Sequence, residues 1–80
     1  MAKSLQAQRY RPLPAALRDM REKAGLTQRA LAEKLGIAHT MIHASETAER
    51  RVDVMEWVDW CVACGVDPVL ALQDLLGKRQ

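Results

Sequence analysis

Three sets of residues in this chain have types and spacings suited to chemistry. They are Cys61 and Cys64 in a C-x-x-C pair, His39 and His43 one helical turn apart, and Ser45 just beyond them. A thiol pair fits half of a tetrahedral zinc site or a dithiol redox centre. A structural zinc needs four ligands, and the chain holds only these two cysteines. A redox dithiol sits where a strand runs into a helix, and no βαβ pattern surrounds this one. Spaced i and i+3 in an apolar helical run, both cysteines read as small apolar residues on one side of a helix. The histidines, at i and i+4, share a helical face and suit a metal by spacing, yet the sequence places no third ligand beside them. Catalysis by Ser45 with a histidine requires a nucleophile, a base and an orienting group around a pocket. Here the candidates lie on one short segment, with no second shell. No enzyme reading survives, and no cofactor or metal is implied.

The chain is 80 residues long, enough for one domain. Apolar residues make up 49% and aromatics 4%, with no Phe, so Leu, Val, Ala and Met must fill the interior. The net charge of +2 permits nucleic acid as a partner without demanding it. No apolar run approaches the ~20 residues that span a bilayer. The N-terminus, MAKSLQAQRYRP, lacks the apolar core of a signal peptide. The expectation is a cytoplasmic protein with no membrane contact.

The elements that must position these residues are helical. Residues 1–11 lack apolar periodicity, carry Lys3, Arg9 and Arg11, and read as a mobile basic arm. Leu13, Ala16, Leu17, Met20 and Ala24 predict a helix over about 13–23, with Pro14 in its first turn and Gly25 as its C-cap. Thr27 caps a second helix over 28–35, with Leu31, Ala32 and Leu35 inward and Gly36 as its stop. A third, over about 38–47, turns Ile37, Met41, Ile42 and Ser45 inward. Thr47 to Arg51 read as a polar loop. Asp53 caps a fourth helix over about 54–64, with Val54, Trp57, Val58 and Cys61 on one face and Gly65 at its end. Asp67-Pro68 opens the last, which carries Leu70, Leu72, Leu75 and Leu76. No stretch alternates as a strand does. The fold class is therefore all-α, with five short helices in one domain over 12–77 and a basic tail at 78–80.

The informative segment is LTQRALAEKLGIAHTMIHASE, Leu26 to Glu46. Two short helices joined by a glycine-bearing turn form the helix-turn-helix layout. Gly36 suits the positive φ of a tight turn, and Ala32 is small where the helices cross. Ile37 and Ile42 anchor the second helix and leave its opposite face free for a groove.

At these residues the chain resembles the Cro/repressor-type (XRE) helix-turn-helix proteins of bacteria and their phages. The matching residues are Leu26-Thr27-Gln28, Leu31-Ala32, Leu35-Gly36, Ile42 and Glu46. The match continues through Glu49-Arg50-Arg51-Val52-Asp53-Val54 and Gly65-Val66-Asp67-Pro68, and covers about residues 13–76. The resemblance implies a lambda-repressor-like domain that binds double-stranded DNA. It implies DNA contacts from Thr27 and Gln28 at the start of the second helix, Gln28 reaching a phosphate with help from the helix dipole. It implies a recognition face of Ala38, His39, Thr40, His43 and Ala44, whose N-terminal residues reach base edges in the major groove. Arg50 and Arg51 would clamp the phosphate backbone. Arg21 and Glu46 would form a structural ion pair between the first and third helices. Three positions depart from the family. Ala44 stands where a long polar reader is usual, Ser45 replaces a large apolar residue, and Ala48 replaces a glycine. Base readout then leans on His39, Thr40 and His43, or the surface has weakened. Ser45 predicts a looser core beneath the third helix.

Met55, Val58 and Val62 make the fourth helix more apolar than one buried stripe requires. Together with the C-terminal leucines they predict a homodimer through the fourth and fifth helices. A dimer would set two recognition helices about 34 Å apart on a pseudo-palindromic operator. The function expected is that of a sequence-specific transcriptional regulator, a repressor or autoregulator of a mobile element, phage or compact operon. The small size predicts no small-molecule sensor. Two rivals stand beside this reading. One is an antitoxin-like or anti-activator module that uses the scaffold to bind a protein; the other is a nonspecific architectural binder.

Overall fold

Helix ends leave backbone groups without partners, and the caps along this chain set where each helix begins and stops. The computed structural model describes residues 5–77, with side chains from Gln8 onward. Lys3 of the expected arm and the tail at 78–80 lie outside the described residues. The helices are α1 (Leu5–Tyr10), α2 (Pro12–Lys23), α3 (Gln28–Leu35), α4 (His39–Glu46), α5 (Val54–Ala63) and α6 (Pro68–Gly77). The five expected helices are α2 to α6, and among the described residues there is no strand.

Pro12 starts α2, where a missing N–H costs nothing. Arg18–Glu22 and Asp19–Lys23 pairs, each at 3.1 Å, lie along its exposed side. Thr27 Oγ1 accepts from the Ala30 N–H at 3.0 Å and caps α3. Gly36 closes α3 at φ 70°, and the chain reverses through Ile37, whose N–H donates to the Ala32 carbonyl. Asp53 caps α5 in a reciprocal box with Glu56: each backbone N–H donates to the other residue's carboxylate. Asp67 Oδ1 accepts from the Val69 and Leu70 N–H groups and starts α6.

The core consists of Leu17, Leu31, Ala32, Ile42, Trp57, Trp60 and Cys61. The two tryptophans replace the absent phenylalanines. Their indole N–H groups stay satisfied in the interior, Trp60 donating to the Leu17 carbonyl at 3.1 Å and Trp57 to that of Pro68 at 3.4 Å. Burial and the Cys64 and Asp67 charges push the Cys61 thiol up to about 11, burial most strongly, so it carries no thiolate at neutral pH. Burial also raises Cys64. No single helix among the described residues is long and apolar enough to cross a membrane.

Two expectations need correction. Leu5–Tyr10 is helical rather than structureless. The run Leu-Gln-Ala-Gln-Arg is made of good helix formers. Tyr10 pins its end: the phenol oxygen accepts from the Val52 N–H at 3.1 Å, and the ring lies beneath Arg51. Val54 does not share the buried face of α5. It is 75% exposed at the first turn, where the capping box directs the chain away from the core.

Candidate nucleic-acid interface

α4 is short, and packing alone from one helix face would leave it free to rock. Ile42 and Ser45 are its buried residues. On the other side Thr40 and His43 are exposed, as is Ala38 at the N-cap, while His39 and Ala44 are half-buried. No side chain caps α4, in contrast to α3 and α5.

Polar junctions on two sides fix this helix. In the first, Arg21 Nε donates to Glu46 Oε2 at 2.6 Å and Nη2 to Oε1 at 3.0 Å, while Nη1 donates to the Leu26 carbonyl at 2.8 Å. Gln28 Nε2 donates to Glu46 Oε1 at 3.1 Å. The side chains of Arg21 and Glu46 are 10% and 2% exposed, so this two-pronged contact is held out of water. The hydrogen bond to Glu46 is the main reason the Arg21 guanidinium is pushed up from its ordinary value. One carboxylate thereby ties the C-terminus of α4 to α2 and to the first residue of α3.

The second junction joins α4 to α5. Ser45 Oγ donates to the Met41 carbonyl at 2.8 Å and accepts from Arg50 Nη1 at 3.0 Å. Arg50 Nη2 donates to Glu56 Oε2 at 2.6 Å. That bond, with the Asp53 backbone N–H second, holds the Glu56 carboxyl below the usual range. The Ser45 hydroxyl thus donates once and accepts once, and no buried side-chain nitrogen or oxygen among the described residues lacks a partner.

The expected phosphate clamp divides. Arg50 turns inward, because Ser45 and Glu56 offer it a hydroxyl and a carboxylate. Arg51 turns outward and is exposed, its Cζ 4.3 Å from the Tyr10 ring centroid. Thr27 is exposed with its oxygen engaged in the cap, and Gln28 keeps its amide oxygen and one of its two amide N–H donors uncommitted. After α4 the backbone turns at Ala48 with φ 68°, a left-handed conformation that a side chain disfavours. The turn lets the Glu49 and Arg50 N–H groups both donate to the Ala44 carbonyl.

Reading along the chain missed Tyr10 and Glu56. Tyr10 gave no periodic signal. Glu56 did carry one, since an acid three residues after a capping aspartate marks a capping box. Among the described residues no three His, Cys, Asp or Glu side chains group as metal ligands.

A two-helix unit braced by a buried Arg–Glu pair, with one helix face uncovered, defines the class: a helix-turn-helix DNA-binding regulator. The family model of the helix-turn-helix domain matches residues 13–73, and the chain belongs to that family. It is similar to a solved "XRE-family like protein from Pseudomonas syringae pv. tomato str. DC3000", with 38% identity over 91% of this chain and 89% of that one, and a TM-score of 0.84. The regulator is thus of XRE type. No curated protein matches it.

Proposed function

We propose that this chain is a sequence-specific transcriptional regulator that inserts α4 into the major groove of duplex DNA in the cytoplasm, and represses by occupying its operator. One observation carries the reading. α4 buries Ile42 and Ser45 and leaves Ala38, Thr40 and His43 exposed on a helix whose pose two polar junctions hold. Thr40 and His43 supply donors and acceptors for base edges, and Ala38 supplies a methyl that suits thymine. Arg51 is the outward cation of the loop that follows, suited to the phosphates flanking the groove.

The active species in this reading is a homodimer. α6 has no buried residue, and Val69, Leu70, Leu72 and Leu76 are 43–63% exposed on it. α5 adds Val54, Met55 and Val62, also largely exposed. Apolar surface on this scale marks an association site. A two-fold dimer places its recognition helices about one DNA turn apart, on a pseudo-palindrome with half-sites ~10 base pairs apart.

The test is selection of duplexes from a random-sequence pool, followed by fluorescence anisotropy on the selected duplex and a scrambled one across a salt series. The expected result is a selected site bound roughly 10³-fold or more tightly than the scrambled duplex. Its affinity should fall with salt, with a log–log slope near −0.9 per phosphate neutralised. Thr40→Ala should relax the base preference at one position. Equal affinity for both duplexes identifies an architectural binder instead. Salt-insensitive or absent DNA binding, with a dimeric protein, leaves the protein-interaction module.

A further inference from the structure

We propose that Tyr10 is a positioning residue of the DNA interface, holding Arg51 outward as a preformed contact for a backbone phosphate of the duplex. The inference rests on the DNA-binding reading above and names the role of a helix that the family match, which begins at residue 13, does not cover.

Two contacts converge on Tyr10. Its ring lies 4.3 Å from the Arg51 guanidinium carbon, and its hydroxyl accepts from the N–H of Val52, the next residue along. The tyrosine therefore grips the side chain of one residue and the backbone of its neighbour, fixing both ends of the arginine's reach. Stacking on a ring engages the face of a guanidinium and leaves its N–H edge available to phosphate oxygens. Among the described residues the Arg51 side chain has no other hydrogen bond or ion pair, whereas that of its neighbour Arg50 has Ser45 and Glu56.

The surroundings favour a polyanion. Arg9 and Arg11 flank Tyr10 and are both exposed. Arg11 shares one shallow groove with Glu46, Thr47 and Ala48, which places the start of α2 against the turn that follows α4. Docking of α1 through Tyr10 thus sets Arg51 beside its ring and Arg11, the residue after the tyrosine, along the turn that follows α4. Glu49 is the acid of that turn and is exposed, Glu46 is consumed by Arg21, and Asp19 and Glu22, which line the same groove, are paired with Lys23 and Arg18. A long arginine side chain in solution loses rotamer freedom when it meets a phosphate. A stacked arginine has lost most of that freedom before DNA arrives, so removing the ring weakens a contact in which the ring takes no direct part.

The experiment is a double-mutant cycle with Tyr10→Leu and Arg51→Ala, read by anisotropy on the duplex that the wild-type protein selects, with a salt series for each protein. Arg51→Ala should weaken binding to selected and scrambled duplexes alike and make the log–log salt slope shallower by about 0.9 for each protomer bound, about 1.8 for the dimer. Tyr10→Leu should cost about three- to tenfold in affinity when Arg51 is present and less than about twofold when Arg51→Ala is already in place. Tyr10→Phe, which keeps the ring, should restore most of the lost affinity. An equal loss from Tyr10→Leu with and without Arg51→Ala overturns the proposal, as does an unchanged affinity. Arg51 is exposed, so its variant folds, and thermal melts of the Tyr10 variants exclude loss of the fold as the cause of an equal loss. If the wild-type protein itself shows no salt-dependent duplex binding, the DNA-binding reading fails; if it binds and the cycle is additive, only the role of Tyr10 fails.

Discussion

α4 and α6 are of similar length, and both lie against the same core, yet the balance of polar and apolar attachment differs between them. α4 is held by Ile42 and by hydrogen-bonded junctions that end in carboxylates, Arg21–Glu46–Gln28 on one side and Ser45–Arg50–Glu56 on the other. α6 is held mainly by Ala71 and Leu75, which pack against the core from partly buried positions, with a Trp57 Nε1 bond to the Pro68 carbonyl at 3.4 Å at its start, and none of its residues is fully buried. Val69, Leu70, Leu72 and Leu76 are exposed. Hydrogen-bonded charge pairs are directional and fix geometry; apolar contact is non-directional and scales with area. Directional bonding is therefore concentrated where a helix must present side chains in a set pose. Non-directional surface is left where adhesion suffices. The predictions below test that division, from the largest expected effect on the protomer's stability to the smallest.

Breaking the first junction should cost most. Glu46→Ala leaves the Arg21 guanidinium buried without its partner and frees Gln28, a loss of about 3–5 kcal/mol in urea denaturation. A loss below about 1 kcal/mol would show that water repairs the site and that α4 is not held by polar bonding. Arg50→Ala should cost less, about 1–3 kcal/mol, since its side chain and that of Glu56 remain 29% and 35% exposed. It should also change the response to acid. The folded state lowers the Glu56 value, chiefly through Arg50. The unfolded chain therefore binds the proton more readily, and the contribution to stability is full at neutral pH. It is lost as the pH falls from the ordinary carboxylate range through the lowered folded value. Urea midpoints at neutral and acid pH should separate further for the wild-type protein than for Arg50→Ala.

The same contrast governs what could be read from the chain. The helix-turn-helix was legible because local rules write it: Thr27 caps, Gly36 turns, and Leu31, Ala32 and Ile42 recur at helical spacing. The match of Asp67-Pro68 to the start of α6 is equally local. The direction of Arg50 against Arg51 was not legible. The two residues are chemically identical and adjacent, and only the folded chain brings Ser45 and Glu56 to one of them. Tyr10 was hidden for a stronger reason, since its partner Val52 lies 42 residues away and α1 presents no apolar stripe. The bonding of Ser45 was hidden because a single position reads as a lost hydrophobe until the arginine that donates to its hydroxyl is known. Side-chain pairs between distant elements leave no periodicity, and the polar junctions here consist of such pairs.

Ala48 offers a change in the opposite sense. Its positive φ of 68° carries a cost that glycine avoids. Ala48→Gly should therefore stabilise the protomer, and because glycine also gains freedom in the unfolded chain the net gain should be about 0.5–1 kcal/mol. An unchanged or lower urea midpoint would mean that the turn relaxes without strain. The gain would also tighten the end of α4 just before the residues that carry Arg51.

Substitution on the outer side of α6 should affect folding least and assembly most. Leu72 and Leu76 are 43% and 49% exposed, so replacing both by glutamate removes little buried area from the protomer. Each change should move its stability by about 0.5 kcal/mol or less. In a dimer the same substitutions would place four like charges in one self-complementary apolar patch. Sedimentation equilibrium should then show Leu72→Glu/Leu76→Glu as a monomer at concentrations where the wild-type protein is a dimer. Its salt slope on the selected duplex should fall to about half, because a monomer neutralises the phosphates of one half-site. A variant that stays dimeric moves the interface to Val54, Met55 and Val62 on α5. A variant that unfolds shows instead that α6 depends on its outer leucines for its own attachment, and the division between the two helices is then not the one drawn from their burial.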